Sequence, residues 1–232
     1  MEKSLAVIIG LSSEHGIDQA KNFANAGFEL LIVSNHDEIF TLQAELDHLD
    51  CKVEAIKLNL ATYAGVEHLY QRLQSNKNYM DAIVLNLNSK SHLSDSFLER
   101  DLREDINLIN LNIFAAVHLL KRIIPGMRIR GNGKIIFSFP LETTLDAVYQ
   151  ATKSFLTSFA NSLREELKGS GVNITVLNPG SSDLVVSNSF SNNSDQSENF
   201  LEKLQGYALS ILPEKVKTQI HRKWSGQGAH HH

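Results

Sequence analysis

Short runs of β-branched and aliphatic residues alternate along this chain with longer segments whose apolar positions recur every three to four residues. The short runs read as strands buried on both faces, and the 3.6-residue period reads as helices with one packed side. Strands are expected over 5–9, 30–33, 53–60, 82–87, 134–139 and 172–177. Between them fall a helix carrying Ile17, Ala20, Phe23 and Ala24 and closed by Gly27, a helix over 39–49 with Leu42, Leu46 and Leu49 inward, and a helix over 66–73. Residues 106–124 read as a long apolar helix stopped near Pro125 and Gly126. The last helix of this series spans 149–168. Its Ala151, Phe155, Leu156, Phe159, Ala160, Leu163 and Leu167 recur at helical spacing, and Gly169 and Gly171 supply its stop.

Strand and helix in strict alternation predict an α/β fold: a doubly wound parallel sheet of Rossmann type, in three layers. Such sheets take ligands beyond the carboxyl ends of their strands, where the strand order reverses. The whole of 1–228 reads as a single domain. Within it, the Ser/Asn-rich stretch 187–199 opens a flexible lid over 187–212, and 200–212 and 213–224 read as two closing helices, the second starting at Pro213. The last residues, 229–232, with His230–His232, read as a purification-tag remnant.

Composition narrows the class. A net charge of −4 gives no basic footprint for nucleic acid, and 42% hydrophobic with 21% charged residues is ordinary for a soluble protein. The one cysteine, Cys51, makes no internal disulfide, so a reducing, cytoplasmic setting is expected. The apolar run at 5–11 is too short for a membrane span, so neither membrane nor nucleic acid is expected as a partner. His36, His48, His68, His92 and His118 share no metal-ligand spacing, and no metal is expected.

The candidate chemistry is Tyr149-Gln-Ala-Thr-Lys153. Residues four apart on a helix share a face, which sets a phenol beside an ammonium group. A phenol holds its proton to about pH 10, and a neighbouring cation favours the phenolate. Bringing the tyrosine to neutrality requires roughly 4 kcal/mol of such preference. The pair is therefore a candidate acid/base for a substrate oxygen.

The order of these features resembles the short-chain dehydrogenase/reductase family over about residues 5–220. Gly10-Leu-Ser12-Ser13-Glu14-His15-Gly16 stands where that family has its Gly-x-x-x-Gly-x-Gly turn. Asn112 lies at the family's distance before Pro125, Tyr149 and Lys153 match Tyr-x-x-x-Lys, and Pro179-Gly180 matches the turn after the sixth strand. The resemblance implies that Tyr149 exchanges a proton with a carbonyl/alcohol pair. Lys153 would hold the nicotinamide ribose, and Asn112 would link the site to water. It also places a coenzyme pyrophosphate on the first helix near Gly10, Ser12, Ser13, His15 and Gly16. Ser34 and Asn35 would lie at the ribose, Asn59 and Leu60 near the adenine, Asn86 after the fourth strand, and Pro179 and Gly180 by the nicotinamide.

Departures from the pattern qualify what it implies. Glu14 replaces the middle glycine and sets an anion near the phosphates, at a cost on the order of 1–4 kcal/mol if it stays there. The position of the usual catalytic serine falls on Phe139 or Pro140. Ser138 is expected to face the other way, which leaves Thr143 or Thr144 as substitutes. Asn86 alone matches the usual Asn-Asn-Ala-Gly, and Asn59 replaces an aspartate. Ser34-Asn35-His36 lacks the acid that favours NAD, which tilts the expectation from NAD toward NADP. The family's final strand is not evident, so a homodimer through the two long helices is expected, with a tetramer the alternative. Two functions follow. One is an NAD(P)-dependent oxidoreductase acting on a small-molecule carbonyl or alcohol. The alternative is a catalytically impaired relative serving as a binding, regulatory or partner subunit.

Overall fold

The computed structural model describes residues 4–10, 14–48, 51–76, 79–86, 97–139 and 146–177. The chain divides into two compact units, Met1–Val176 and Leu177–His232, and the architecture below is that of the first. The turn residues Ser12 and Ser13, the loop positions Pro140, Thr143 and Thr144, Pro179-Gly180 and the expected lid at 187–212 lie outside the described residues.

Six strands form one sheet: β1 (Leu5–Ile9), β2 (Glu29–Ser34), β3 (Val53–Lys57), β4 (Met80–Asn86), β5 (Gly133–Ser138) and β6 (Val172–Leu177). Their order is β3-β2-β1-β4-β5-β6, with every registered pair parallel. The order reverses between β1 and β4, which is where such a sheet opens a crevice at its carboxyl end. The helices are α1 (Glu14–Asn25), α2 (Glu38–Leu46), α3 (Tyr63–Gln74), α4 (Leu102–Ile109), α5 (Ala115–Arg130) and α6 (Ala147–Glu166). Right-handed crossovers put α1 and α2 on one face and α3, α5 and α6 on the other. The second face holds the larger core: Val7, Ile9, Leu31, Val33, Ile83, Leu85, Ile135, Phe137 and Phe139 from the sheet meet Val66, Leu69, Leu119, Ile123, Met127, Leu156 and Ala160 from the helices.

β1 and β6 have the expected bounds, and the other strands fall within two or three residues of them. β3 ends early, at Lys57, because Asn59 begins a turn: its Oδ1 accepts the Ala61 N–H at 3.0 Å, and Thr62 caps α3 through the Gly65 N–H. Leu46 is inward in α2 as expected, while Leu42 is half-buried and Leu49 lies outside the described residues.

The long helix departs most from expectation. It begins at Leu102 rather than 106, and Pro125 does not stop it. The missing Pro125 N–H deprives only the Lys121 carbonyl of a partner, and both residues are exposed, so water can serve it. The helix runs on to Arg130 and ends on Gly131 in the left-handed conformation. Between α4 and α5 the residues Asn110–Phe114 form a π-helical stretch, which the sequence reading did not foresee.

α6 also differs in its packed side. Ala151 is exposed and Phe155 is 41% exposed, while Tyr149, Thr152, Leu156 and Ala160 form the buried stripe. A tyrosine and a threonine, both hydrogen-bonding residues, thus belong to the core face.

Gly10, at the end of β1, has φ +78°, and a Cβ there would stand 2.1 Å from the Asn86 carbonyl oxygen. Gly27 has φ +87° with nothing within 4 Å of its virtual Cβ. Gly10→Ala is therefore expected to cost about 2–4 kcal/mol, strain plus displacement of β4, against about 1 kcal/mol for Gly27→Ala. Urea unfolding of the two variants measures the difference, and equal losses would refute the close approach of β1 to β4.

Candidate active site

The alternation of β5 decides which side chains can meet Tyr149. Phe137 and Phe139 point to the face that α6 covers, so Ser138 between them points to α1. The Ser138 hydroxyl there accepts from Gln19 Nε2 at 2.8 Å, both residues being buried. The expected orientation of Ser138 is thus what the strand adopts. Phe139, one of the two positions expected for the family's serine, is 1% exposed and puts an aromatic ring on this face, while Pro140, the other, lies outside the described residues.

α6 starts at Asp146, whose carboxylate caps it by accepting the Tyr149 N–H at 2.9 Å. Tyr149 is completely buried and Lys153 half-buried. Lys153 Nζ stands 5.5 Å from the centre of the Tyr149 ring and 5.6 Å from that of Phe139. The phenol and the ammonium group are therefore neighbours, as the i, i+4 spacing requires, with the Phe139 ring also against the cation. Attraction between an ammonium group and a ring face is worth about 0.5–2 kcal/mol depending on desolvation.

Asn112 sits inside the π-helical stretch and is 1% exposed. Its Nδ2 donates to Thr152 Oγ1 at 3.0 Å, and that hydroxyl donates to the Tyr149 carbonyl at 2.8 Å. Asn112 Oδ1 is buried without a protein partner among the described residues, as is Asn86 Nδ2. Asn112, far from Tyr149 and Lys153 in sequence, is thus brought to them by the contact of α6 with the π-helical stretch.

The sequence reading missed a buried ion cluster at the start of α6. Arg100 Nη1 donates to Asp105 Oδ1 at 3.1 Å, and Arg100 Nη2 pairs with Asp146 Oδ2. The three side chains are 3%, 7% and 1% exposed. Burial by itself would raise the Asp146 carboxyl, but the Arg100 guanidinium and the Tyr149 N–H outweigh it and hold it below the usual aspartate value. The same carboxylate raises Arg100 above its ordinary range. Sequence periodicity gives no sign of this cluster, because only Asp105 lies on an element with a readable apolar stripe.

Several of the expected coenzyme residues that are described lie at or after the carboxyl ends of their strands. Gly10 and Asn86 adjoin each other at the ends of β1 and β4. His15 and Gly16 lie in the first turn of α1. Ser34 ends β2 and accepts the His36 N–H at 3.2 Å, Asn35 is exposed beside it, and Leu60 is buried after β3. The Asn59 side chain serves its own turn, as described above. No group of three metal-ligating side chains converges among the described residues.

Comparison with known proteins agrees with this geometry. The family model for short chain dehydrogenases matches residues 4–195. The chain is 29% identical over 187 residues to a very-long-chain 3-oxoacyl-CoA reductase of Mycosarcoma maydis, covering 75% of this chain and 52% of that protein. It is also 29% identical over 133 residues to the ketoacyl reductase HetN of Nostoc, covering 56% and 46%. The chain thus spans about half the length of these curated relatives. Among solved structures, L-sorbose reductase of Gluconobacter frateurii, complexed with NADPH and L-sorbose, superposes with a TM-score of 0.68 at 26% identity, covering 77% of this chain and 69% of that one.

The Asp146 environment gives a pH dependence. Its folded value lies below the ordinary 3.8, so its contribution to stability is fully present above about pH 3.8 and is lost as pH falls through the lower folded value. Denaturant unfolding between pH 5 and 2.5 is expected to show a shallower acid loss for Asp146→Asn than for the wild-type chain. Identical slopes would mean the carboxylate is not held as described.

Proposed function

The chain belongs to the short chain dehydrogenase family, and from that premise we propose that it is an oxidoreductase that interconverts a small-molecule carbonyl and its alcohol, with NADP as the preferred coenzyme over NAD. The observation that carries the proposal is the grouping of buried Tyr149 with Lys153 beside its ring and with buried Asn112, which is tied through Thr152 to the Tyr149 carbonyl. Relatives with oxoacyl and ketoacyl reductase names, and a structural neighbour holding NADPH, support the same class.

The residues present fit a dinucleotide. The backbone at Gly10 lies against Asn86 with no room for a Cβ, as a close-approach turn requires, and Asn86 Nδ2 and Asn112 Oδ1 are buried polar atoms with no partner among the described residues. Gly10, Ser12, Ser13, His15 and Gly16 would hold the pyrophosphate on the first turn of α1. Ser34 and Asn35 would meet the adenosine ribose, Asn59 and Leu60 the adenine, and Asn86 and Lys153 the nicotinamide half. No carboxylate stands at Ser34-Asn35-His36 to favour the free ribose hydroxyls, which is the basis of the NADP preference. When bound, the coenzyme supplies or accepts the hydride.

The chain's own residues then handle the proton. Tyr149 Oη gives a proton to the carbonyl oxygen in reduction and takes it back in oxidation. Lys153, close to the phenol ring, would stabilise negative charge developing on Oη as the proton leaves. Asn112, through its unpartnered Oδ1, offers an acceptor for a relay of protons to the site. Phe139 presents a ring and no donor on this face, so the substrate oxygen relies on Tyr149 unless Thr143 or Thr144 supplies the hydroxyl. By analogy with loss of an oxyanion-hole donor, turnover is expected about 10²–10³-fold below that of an enzyme with the serine.

One observation favours a second reading. A buried phenylalanine at one of the two positions expected for the serine, with proline at the other, suits a catalytically impaired binding or regulatory subunit that retains the coenzyme fold. Titration with NADPH and NADH, read by nicotinamide fluorescence, and reduction of a carbonyl panel separate the two. The proposal expects NADPH to bind more tightly than NADH. It also expects Tyr149→Phe to lower turnover at least about 10²-fold while leaving coenzyme affinity within a few-fold. No binding of either nucleotide at millimolar concentration would refute it, and binding with no reduction of any carbonyl would establish the second reading.

A further inference from the structure

Tyr149 is held by its backbone from both sides, and both ties lead to the same neighbouring helix. On one side its N–H is accepted by Asp146, which pairs with Arg100, which donates in turn to Asp105 on α4. On the other side its carbonyl accepts the Thr152 hydroxyl, which accepts the amide of Asn112, one turn beyond the end of α4. The peptide units flanking the acid/base residue are thus fastened through side chains to the helix that carries Asn112.

The ion cluster is more than its contribution to stability explains. Burying one cation and two carboxylates carries a desolvation cost that their mutual attraction roughly offsets, and an apolar trio of the same volume would stabilise the fold as well or better. What an apolar trio would lack is direction. A guanidinium is a rigid planar fork, and here its two amino groups reach carboxylates on two different helices, which fixes the separation of the α4 and α6 starts. Displacing a reacting group by about 1 Å can lower a rate by about 10²-fold.

We propose that Arg100 is a positioning residue for the proposed reaction, acting through Asp146 and Asp105 to set Tyr149 against Asn112. The inference rests on the oxidoreductase reading for its kinetic consequence, while its structural content is independent of turnover. Arg100 touches neither substrate nor coenzyme in this role.

The test uses Arg100→Lys, which keeps the charge and loses the fork, and Asp105→Asn, which keeps Asp146 and its cap intact. Each is compared with the wild-type chain by two readouts. The first is the carbon-13 signal of the Tyr149 ring in tyrosine-labelled protein, assigned by its loss in Tyr149→Phe. The second is the split between kcat and KM for coenzyme in carbonyl reduction. The expected result is a shifted or broadened Tyr149 signal in both variants, with kcat lowered about 10- to 100-fold and coenzyme KM changed less than about threefold. An unchanged Tyr149 signal in both folded variants overturns the proposal whatever their activity. So does an unchanged kcat with only a lowered melting temperature, which would mark the cluster as structural. A shifted signal in a chain whose wild type reduces no carbonyl would refute the oxidoreductase reading and leave the positioning of Tyr149 by Arg100 standing.

Discussion

The contact between α6 and the helix running from Leu102 to Arg130 is sealed by polar groups as well as by hydrocarbon. At one end Arg100 joins two carboxylates, and about two turns further along the Asn112 amide reaches Thr152. Everything chemical in the described residues is organised about that seam. Tyr149 lies between the two ties, Lys153 stands above its ring, and Phe139 closes the remaining side from the end of β5. A seam of leucines would hold the helices together but would allow them to slide, because apolar contact has no preferred direction. Hydrogen bonds and a guanidinium fork fix register.

The π-helical stretch Asn110–Phe114 serves the same end. A regular helix presents side chains about 100° apart, and one inserted residue rotates everything before it relative to everything after. The interruption lets one continuous rod satisfy two demands. α5 packs Leu119, Ile123 and Met127 on the sheet, while Asn112 turns toward α6 and Asp105 toward Arg100. Pro125, further along, imposes no comparable break because the carbonyl it leaves without a partner is on the wet side.

The end of β5 shows how a two-residue period governs chemistry. A hydroxyl is present there, on Ser138, but the pleat sends it to α1, where Gln19 takes it up. Phe139 inherits the face that looks at Tyr149. The face toward Tyr149 thus carries an aromatic ring beside the lysine, and the one described hydroxyl at the end of β5 is turned away from it.

Much of this was legible in the chain alone. The six strands, their parallel arrangement and the helices between them follow from apolar runs and periods, since burial on both faces leaves little choice of side chain. The Tyr149–Lys153 pair follows from helical spacing, and the direction of Ser138 from the pleat, because both depend on local geometry. Other features needed the tertiary structure. The buried stripe of α6 runs through Tyr149 and Thr152 rather than Ala151 and Phe155, and the Thr152 hydroxyl is satisfied there by the Asn112 amide and the Tyr149 carbonyl. The Arg100 cluster joins residues 46 positions apart at its extremes, Arg100 and Asp146, and no period or motif links them. A charge reads as surface in sequence; only the packing of two helices around it shows that it is core.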